Sequence, residues 1–149
     1  MLRYRFFTLI ILLLLAVESS ATQTVPPAIP LKILNHRLSA EIAHTPAARS
    51  KGLMHRTQLH KNSGMLFIFP KINIYSMWML NTFIPLSVAF LDEKGVILNI
   101  ADMSPHSLAS HSSAQPAKYA LEMNLGWFTE KNITTGVQVE GLEQAPQAE

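Results

Sequence analysis

The sequence contains no cysteine among its 149 residues. This absence excludes disulfide bonds, thiolate nucleophiles and thiolate metal ligands, so packing alone must stabilise the fold. The sequence also lacks any run of basic residues: its formal net charge is +2, and its 12 lysines and arginines are scattered singly or lie in the N-terminal leader. Nucleic-acid-binding proteins typically have a basic patch, so we predict no nucleic-acid partner.

The best-known catalytic and nucleotide-binding motifs are absent as well. There is no G-x-S-x-G nucleophile elbow, no H-E-x-x-H zinc motif, no P-loop and no G-x-G-x-x-G fingerprint. We therefore predict no cofactor. The sequence by itself does not decide whether the protein is an enzyme.

The first 21 residues have the three parts of a secretory signal peptide. Arg3 and Arg5 precede an apolar core at residues 6–17, and small residues follow it. This core is short for a membrane span, although an uncleaved anchor is the alternative, and no cysteine follows it, which excludes a lipoprotein. We expect a mature chain that begins near Thr22, lies in the periplasm or outside the cell, and does not contact the membrane.

Residues 31–142 are predicted to form one globular domain. The chain is 48% apolar, which is enough to build a core and is not typical of a disordered protein. Three prolines predict an extended linker over residues 22–30, and the polar residues 143–149 predict a flexible tail. We expect the domain to be a monomer.

The longest charge-free stretch organises this domain. No charged residue lies between Lys71 and Asp92, and residues 64–92 hold most of the large apolar side chains. The Asn, Thr, Ser and Pro residues in this stretch argue against a membrane span, because lipid would leave polar groups unsatisfied. Short runs that are apolar on both faces instead predict central strands of a barrel or sandwich.

The remaining pattern predicts short strands and little helix. Thr45 before Pro46 predicts the start of a short helix, Asn124 predicts the cap of another, and residues 103–116 are predicted to be a long irregular loop. We predict an α+β fold, mainly β, as a small antiparallel or mixed barrel or sandwich with one or two short helices. The predicted strands cover residues 31–34, 38–43, 65–69, 75–81, 86–91, 96–102, 118–123 and 136–142.

Several strings occur together in a fixed order. They are RSKGLMHR at 49–56, GMLFIF at 64–69, SMWMLNTFIPL at 76–86, DEKGVI at 92–97, Pro105, and YALE at 119–122 followed by Gly126. This set resembles the prokaryotic domain-of-unknown-function family 192 over about residues 31–140. The resemblance implies a compact, mostly β domain that is often exported, and it implies no agreed biochemical activity.

Three positions depart from the pattern of that family. Leu80 stands where the family commonly has lysine, Ser87 where it commonly has aspartate, and Val137 where aspartate commonly follows a glycine. Any chemistry that relatives perform with charged side chains at these positions does not transfer to this chain.

Polar residues inside the apolar stretch are the first candidates for a site. If residues 75–81 form a strand, Trp78 and Thr82 face one side and Asn81 faces the other. In one interpretation they form the floor of a ligand pocket, where Trp78 stacks on a ligand and Asn81 hydrogen-bonds to it. In the alternative, Asn81 satisfies backbone groups where the strand bends toward Pro85.

Glu122 is the second candidate because it interrupts an apolar strand. Arg49 and Arg56 are its expected partners, since a guanidinium suits a bidentate contact with a carboxylate. Either the three residues line a cleft, or they form a structural salt bridge that ties the helix to the sheet.

His106 and two methionines are the remaining candidates. His106, like His111, either belongs to a solvated loop or takes part in acid–base or metal chemistry. Met77 and Met79 share a face of the predicted strand, where they either pack in the core or, with His106, bind cuprous copper.

Three functional hypotheses follow from these candidates. The leading one is an exported domain that binds a small or extended ligand in a cleft formed by Arg49, Arg56, Trp78, Asn81, Thr82 and Glu122. The first alternative is a hydrolase in which Glu122 acts with His106. The second alternative is a periplasmic copper carrier that uses Met77, Met79 and His106.

Overall fold

The computed structural model describes residues 27–149. The predicted signal peptide at residues 1–21 and linker residues 22–26 lie outside this range. Two short helices, α1 (Pro46–Lys51) and α2 (Trp127–Glu130), and a 3-10 turn (Leu142–Gln144) accompany nine strands. The strands are β1 (Ala28–Ile33), β2 (His36–Ala43), β3 (Ser63–Asn73), β4 (Ser76–Met77), β5 (Leu86–Leu91), β6 (Ile97–Met103), β7 (His111–Ser112), β8 (Ala117–Asn124) and β9 (Val139–Glu140).

Seven of these strands form one curled sheet, a half-barrel with the order β6-β5-β8-β3-β2-β1-β9. Neighbouring strands are antiparallel except β2 and β3, whose parallel pairing requires the crossover that carries α1. The two edges of the sheet meet at one end, where Val96 bridges Gln138. The remaining strands, β4 and β7, pair with each other. The predicted mainly β, barrel-like fold with two short helices is therefore confirmed.

The central strands β3, β5 and β8 are buried on both faces. Leu66 and Ile68 of β3 point into the half-barrel, whereas Met65, Phe67 and Phe69 alternate with them and join a second core on the outer face. Two cores explain why these strands are apolar at nearly every position. The outer core is covered by α1, the turn after it and residues 75–86, and these segments form the candidate site.

The start of α1 follows the local sequence signals. Thr45 accepts a hydrogen bond from the Ala48 amide (3.1 Å), and Pro46 occupies the first helical turn. Gly52 ends the helix with a φ of +47°, and a Cβ there would lie 3.1 Å from the Phe67 ring. The predicted first helix is confirmed, and its last turn is held close to β3.

One predicted strand and one predicted helix cap were wrong. The strand expected at residues 75–81 ends at Met77, and a turn follows in which the Thr82 amide donates to the Met79 carbonyl (3.1 Å). Asn81 in this turn has a φ of +52°, a conformation that Asn adopts more readily than most residues. Asn124 does not cap α2, which begins after Gly126 instead; its side chain donates to two loop carbonyls.

The ends of the described chain pack against the domain. β1 begins at Ala28, within the segment predicted to be a linker. In the predicted tail, Ala145 and Ala148 contact the interior core, and the Glu149 amide donates to the His44 carbonyl (3.0 Å). Within residues 27–149, no helix has the length and apolar content needed to cross a membrane.

Candidate functional site

A pocket of about 420 Å³ opens on the outer face of the sheet. This volume is within the range of small-molecule sites. One wall consists of residues from α1 and the turn after it, the opposite wall consists of residues 75–78 with Thr82, and the floor is formed by β3 and β8. The pocket is lined by Pro46, Arg49–Met54, Phe67, Phe69, Tyr75–Trp78, Thr82 and Glu122. We call it the Glu122 pocket.

Glu122 is the one carboxylate that lines this pocket. Its register on β8 places it opposite Met65 of β3 and Val88 of β5, which are both buried, and only 4% of Glu122 is exposed. This burial raises the pKa of the Glu122 carboxyl to about 8, so the group is mostly protonated at neutral pH. Burial is the cause of this shift. Within residues 27–149, Glu122 takes part in no ion pair and its oxygens are not among the fully enclosed atoms that lack a hydrogen bond, so the carboxyl adjoins the open cavity without a protein partner.

Arg49 lines the same pocket but is not a partner of Glu122. Its guanidinium donates to three backbone carbonyls: those of His44, Ile68 (3.1 Å) and Glu149 (2.8 Å). These contacts tie α1 to the end of β2, to β3 and to the C-terminal residues. The predicted Arg49–Glu122 ion pair was wrong because backbone oxygens occupy the donors of Arg49 instead.

Arg56 lies outside the pocket and pairs with another glutamate. Both of its terminal nitrogens contact the Glu41 carboxylate on β2, with Nη1 to Oε1 at 2.5 Å. The two side chains are 32% and 15% exposed, and the hydrogen bond with Glu41 raises the pKa of Arg56. The predicted Arg56–Glu122 pair was wrong, since a partly hydrated pair with Glu41 avoids the desolvation that Glu122 would impose.

Of the three candidates from the central stretch, Trp78 and Thr82 line the pocket and Asn81 does not. Trp78 lines the pocket and is 53% exposed, and Thr82 lines it while its hydroxyl donates to the Leu80 carbonyl (3.1 Å). Asn81 is exposed and is not part of the lining; its backbone carbonyl accepts from the His55 amide (2.9 Å). The prediction that Asn81 forms the pocket floor was wrong, because the turn after β4 points it away.

The structure does not bring together the residues of the two alternative sites. His106 packs against the exposed ring of Phe83 (5.1 Å between centroids) and does not line the pocket with Glu122. Met79 is fully buried in the outer core. Met77 lines the pocket, and its partner on the neighbouring strand β7 is His111. Among residues 27–149, no three histidine, aspartate or glutamate side chains form a possible metal-binding group. Met77 and Met79 do not share a face because β4 ends between them.

Sequence reasoning missed the aromatic walls of the pocket. Phe67, Phe69 and Tyr75 line it together with Trp78, and Phe69 stacks on Tyr75 with ring centroids 3.7 Å apart. The alternation along β3 places Phe67 and Phe69 on one face, and that signal is readable in the sequence. The alternation alone does not reveal that α1 covers this face only partly and leaves a cavity.

A larger and more open cavity, about 830 Å³, lies where β1, β9 and the 3-10 turn meet. Its charged residues are solvent-exposed, and Lys32 there is already paired with Glu140 (3.2 Å). The smaller pocket is the better candidate because it contains a buried carboxyl group with no partner, a feature that the larger cavity lacks.

The domain-of-unknown-function family 192, described as an uncharacterized ACR, matches residues 29–141. The chain belongs to this family. The resemblance noted in the sequence is thereby confirmed. Among curated proteins, no match is found.

Two solved structures resemble this member of family 192 over most of its length. A chain from Sinorhizobium meliloti 1021, provisionally described as a transcription regulator, is 34% identical with a TM-score of 0.76, and the match covers 78% of this chain and 95% of that one. A chain of unknown function from Novosphingobium aromaticivorans DSM 12444 is 31% identical with a TM-score of 0.74, covering 80% and 89%. Both share the fold, and neither assigns an activity.

The three departures from the pattern of family 192 lie outside the Glu122 pocket. Leu80, Ser87 and Val137 are all absent from its lining. Ser87 donates to Asp102 across the β5–β6 pair (2.5 Å) and accepts from the Gly126 amide (2.9 Å). Ser87 thus has a structural role at the start of α2.

Proposed function

We propose that this domain binds a small molecule in the Glu122 pocket and that it acts in the periplasm or outside the cell. The observation that carries the binding proposal is the buried carboxyl of Glu122, which adjoins the cavity without a protein partner. Buried polar groups are normally satisfied, so an unsatisfied group at a cavity is a contact point for a ligand or ordered water. The proposed export rests on the leader at residues 1–21.

The lining of the pocket supports binding rather than structural use of the cavity. Phe67 and Phe69 offer rigid apolar surface at the floor, and Trp78 stands half-exposed at the rim, where a ligand would cover it. Sites of this kind combine apolar walls with a few polar groups that orient the ligand. Glu122 and Thr82 would be those orienting groups.

Hydrolase activity is the second candidate function, and one observation favours it. Glu122 has a pKa of about 8, which suits a general acid near neutral pH. The geometry gives it no histidine partner in the pocket, because His106 packs on Phe83. An enzymatic reaction would therefore depend on Glu122 and groups of the substrate, and we rank it below binding.

The test is a fragment screen of the purified protein by thermal unfolding and ligand-observed NMR. Hits are then titrated while Trp fluorescence is recorded, since Trp78 is at the rim and Trp127 is only 2% exposed. A ligand at a concentration 100 times its Kd should stabilise the folded state by about 2.7 kcal/mol.

Two variants locate the hits. Trp78→Ala should weaken binding, whereas Leu108→Ala should leave it unchanged, because Leu108 is also an exposed apolar residue but lies outside the pocket. The proposal is refuted if the screen yields no hits, or if the hits bind the Trp78→Ala protein as tightly as the original.

A further inference from the structure

We propose that the Glu122 pocket selects an organic cation, namely an ammonium group that carries an apolar substituent. This inference rests on the proposed function and specifies its ligand class. The geometry behind it is a single carboxyl at the floor of a pocket whose walls are largely aromatic and apolar.

The first argument concerns the carboxyl group. Glu122 lies between Met65 and Val88 on the neighbouring strands, so no protein charge compensates it from within the sheet. A neutral ligand can satisfy the protonated carboxyl by a hydrogen bond, but it cannot stabilise the deprotonated, charged form of the group. A ligand ammonium does both, because the two charges stabilise each other in an environment of low polarity.

The second argument concerns the walls. Phe67, Phe69, Tyr75 and Trp78 all line the pocket. The faces of aromatic rings carry partial negative charge, so they attract cations, most strongly where water is displaced. The same rings contact the apolar substituent of the ligand, which favours an organic cation over a metal ion.

The other charged or titratable groups of the lining do not oppose this assignment. Arg49 directs its guanidinium to the carbonyls of His44, Ile68 and Glu149, and Lys51 is exposed on α1. Within residues 27–149, neither cation forms an ion pair with Glu122. The Tyr75 hydroxyl donates to the Lys71 carbonyl (2.9 Å), away from Glu122.

Binding of a cation should release a proton. At pH 7 the Glu122 carboxyl of the free protein is mostly protonated. When an ammonium binds, the O–H bond breaks, the carboxylate pairs with the ammonium and the proton passes to the buffer. With a pKa of about 8, the released amount should approach 0.9 proton per site, roughly the protonated fraction at pH 7.

The experiment compares three probes of nearly the same shape: benzylammonium, benzyl alcohol and benzoate. Their affinities are measured by isothermal titration at pH 7 in buffers of different ionisation enthalpy, which gives the number of protons released. We expect benzylammonium to bind at least about tenfold more tightly than benzyl alcohol and to release close to one proton, with benzoate the weakest.

Two variants test whether the Glu122 carboxyl causes the preference for benzylammonium. Glu122→Gln keeps the size and polarity of the protonated side chain, so the protein should fold, and both the tenfold preference and the proton release should disappear. Glu93→Gln is the matched control, since Glu93 is exposed outside the pocket, and it should change neither.

Equal affinity for benzylammonium and benzyl alcohol, tighter binding of benzoate, or a preference that survives in Glu122→Gln would each overturn the cation assignment. These outcomes leave the small-molecule pocket standing, because a neutral or anionic probe still binds. Absence of binding by all three probes also overturns the cation assignment, and the fragment screen then decides whether the pocket binds anything else.

Discussion

The pKa of Glu122 predicts a distinctive dependence of stability on pH. In the unfolded chain its pKa is 4.5, and in the folded protein burial raises it to about 8. Well below pH 4.5 the carboxyl is protonated in both states, so the stability does not depend on its ionisation. Between these values only the folded state binds the proton, so the free energy of unfolding falls as the pH rises.

The magnitude follows from the size of the shift. One pKa unit corresponds to about 1.4 kcal/mol, so the contribution of Glu122 should be lower by about 3 kcal/mol at pH 7 and by about 5 kcal/mol at pH 9 than at pH 4. These values are a large part of the stability of a domain of this size. The folded protein tolerates Glu122 mainly because the carboxyl stays protonated.

The assay is urea unfolding at closely spaced pH values between 4 and 9, followed by fluorescence. Because pH also acts on the rest of the protein, the informative quantity is the difference in the free energy of unfolding between the original protein and Glu122→Gln. The variant should gain stability relative to the original protein as the pH rises, by about 1.2 kcal/mol per unit on average between pH 5 and pH 8. Glu93→Gln is again the control and should follow the original protein.

Parallel stability curves for the original protein and Glu122→Gln would refute this reasoning. Such a result would mean that the carboxyl ionises in the folded state as readily as in the unfolded one. Water or a cation in the pocket would then have to compensate the charge, and burial would not be what sets its protonation.

Three further predictions test other parts of the structure. A double-mutant cycle with Arg56→Ala and Glu41→Ala, measured by urea unfolding, should give a coupling energy of about 1–2 kcal/mol, because their bidentate pair is partly buried; a coupling near zero contradicts this. Gly64→Ala should cost about 2 kcal/mol or more in the same assay, since its Cβ would lie 2.4 Å from the Glu122 carbonyl; an unchanged unfolding midpoint argues against such close packing. Expression in a Gram-negative host should yield a periplasmic protein whose mass corresponds to a start near Thr22, whereas a full-length mass in the membrane fraction indicates an uncleaved anchor.

Much of the fold was predictable because its determinants are local. The alternation and length of the apolar runs predicted β5, β6 and β8 within about a residue at each end, and Thr45 with Pro46 predicted α1. Each signal acts over a few residues and needs no knowledge of the partner strand. The strand expected at residues 75–81 was wrong for the converse reason: a turn at Asn81 overrides an apolar run that, taken alone, is typical of a strand.

The candidate site was predictable only in part. Glu122, Trp78 and Thr82 stand out in the sequence as unusual residues in apolar surroundings, and the structure places all three in one pocket. The partners assigned to Glu122 were wrong, because sequence proximity and charge do not reveal that Glu41 lies within reach of Arg56. Ion pairs depend on which segments meet, and that is a property of the whole fold.

By itself, the sequence determined that this protein has no thiol chemistry, that its apolar runs at residues 64–69 and 86–91 form buried strands, and that Glu122 is out of place among apolar residues. Periodicity and composition suffice for these statements because burial on a strand repeats every two residues. Only the tertiary structure decided that α1 and residues 75–78 leave a cavity above Glu122 and that no basic side chain of residues 27–149 forms an ion pair with its carboxyl. Both facts depend on distances between segments far apart in the chain, and those distances set the protonation of Glu122.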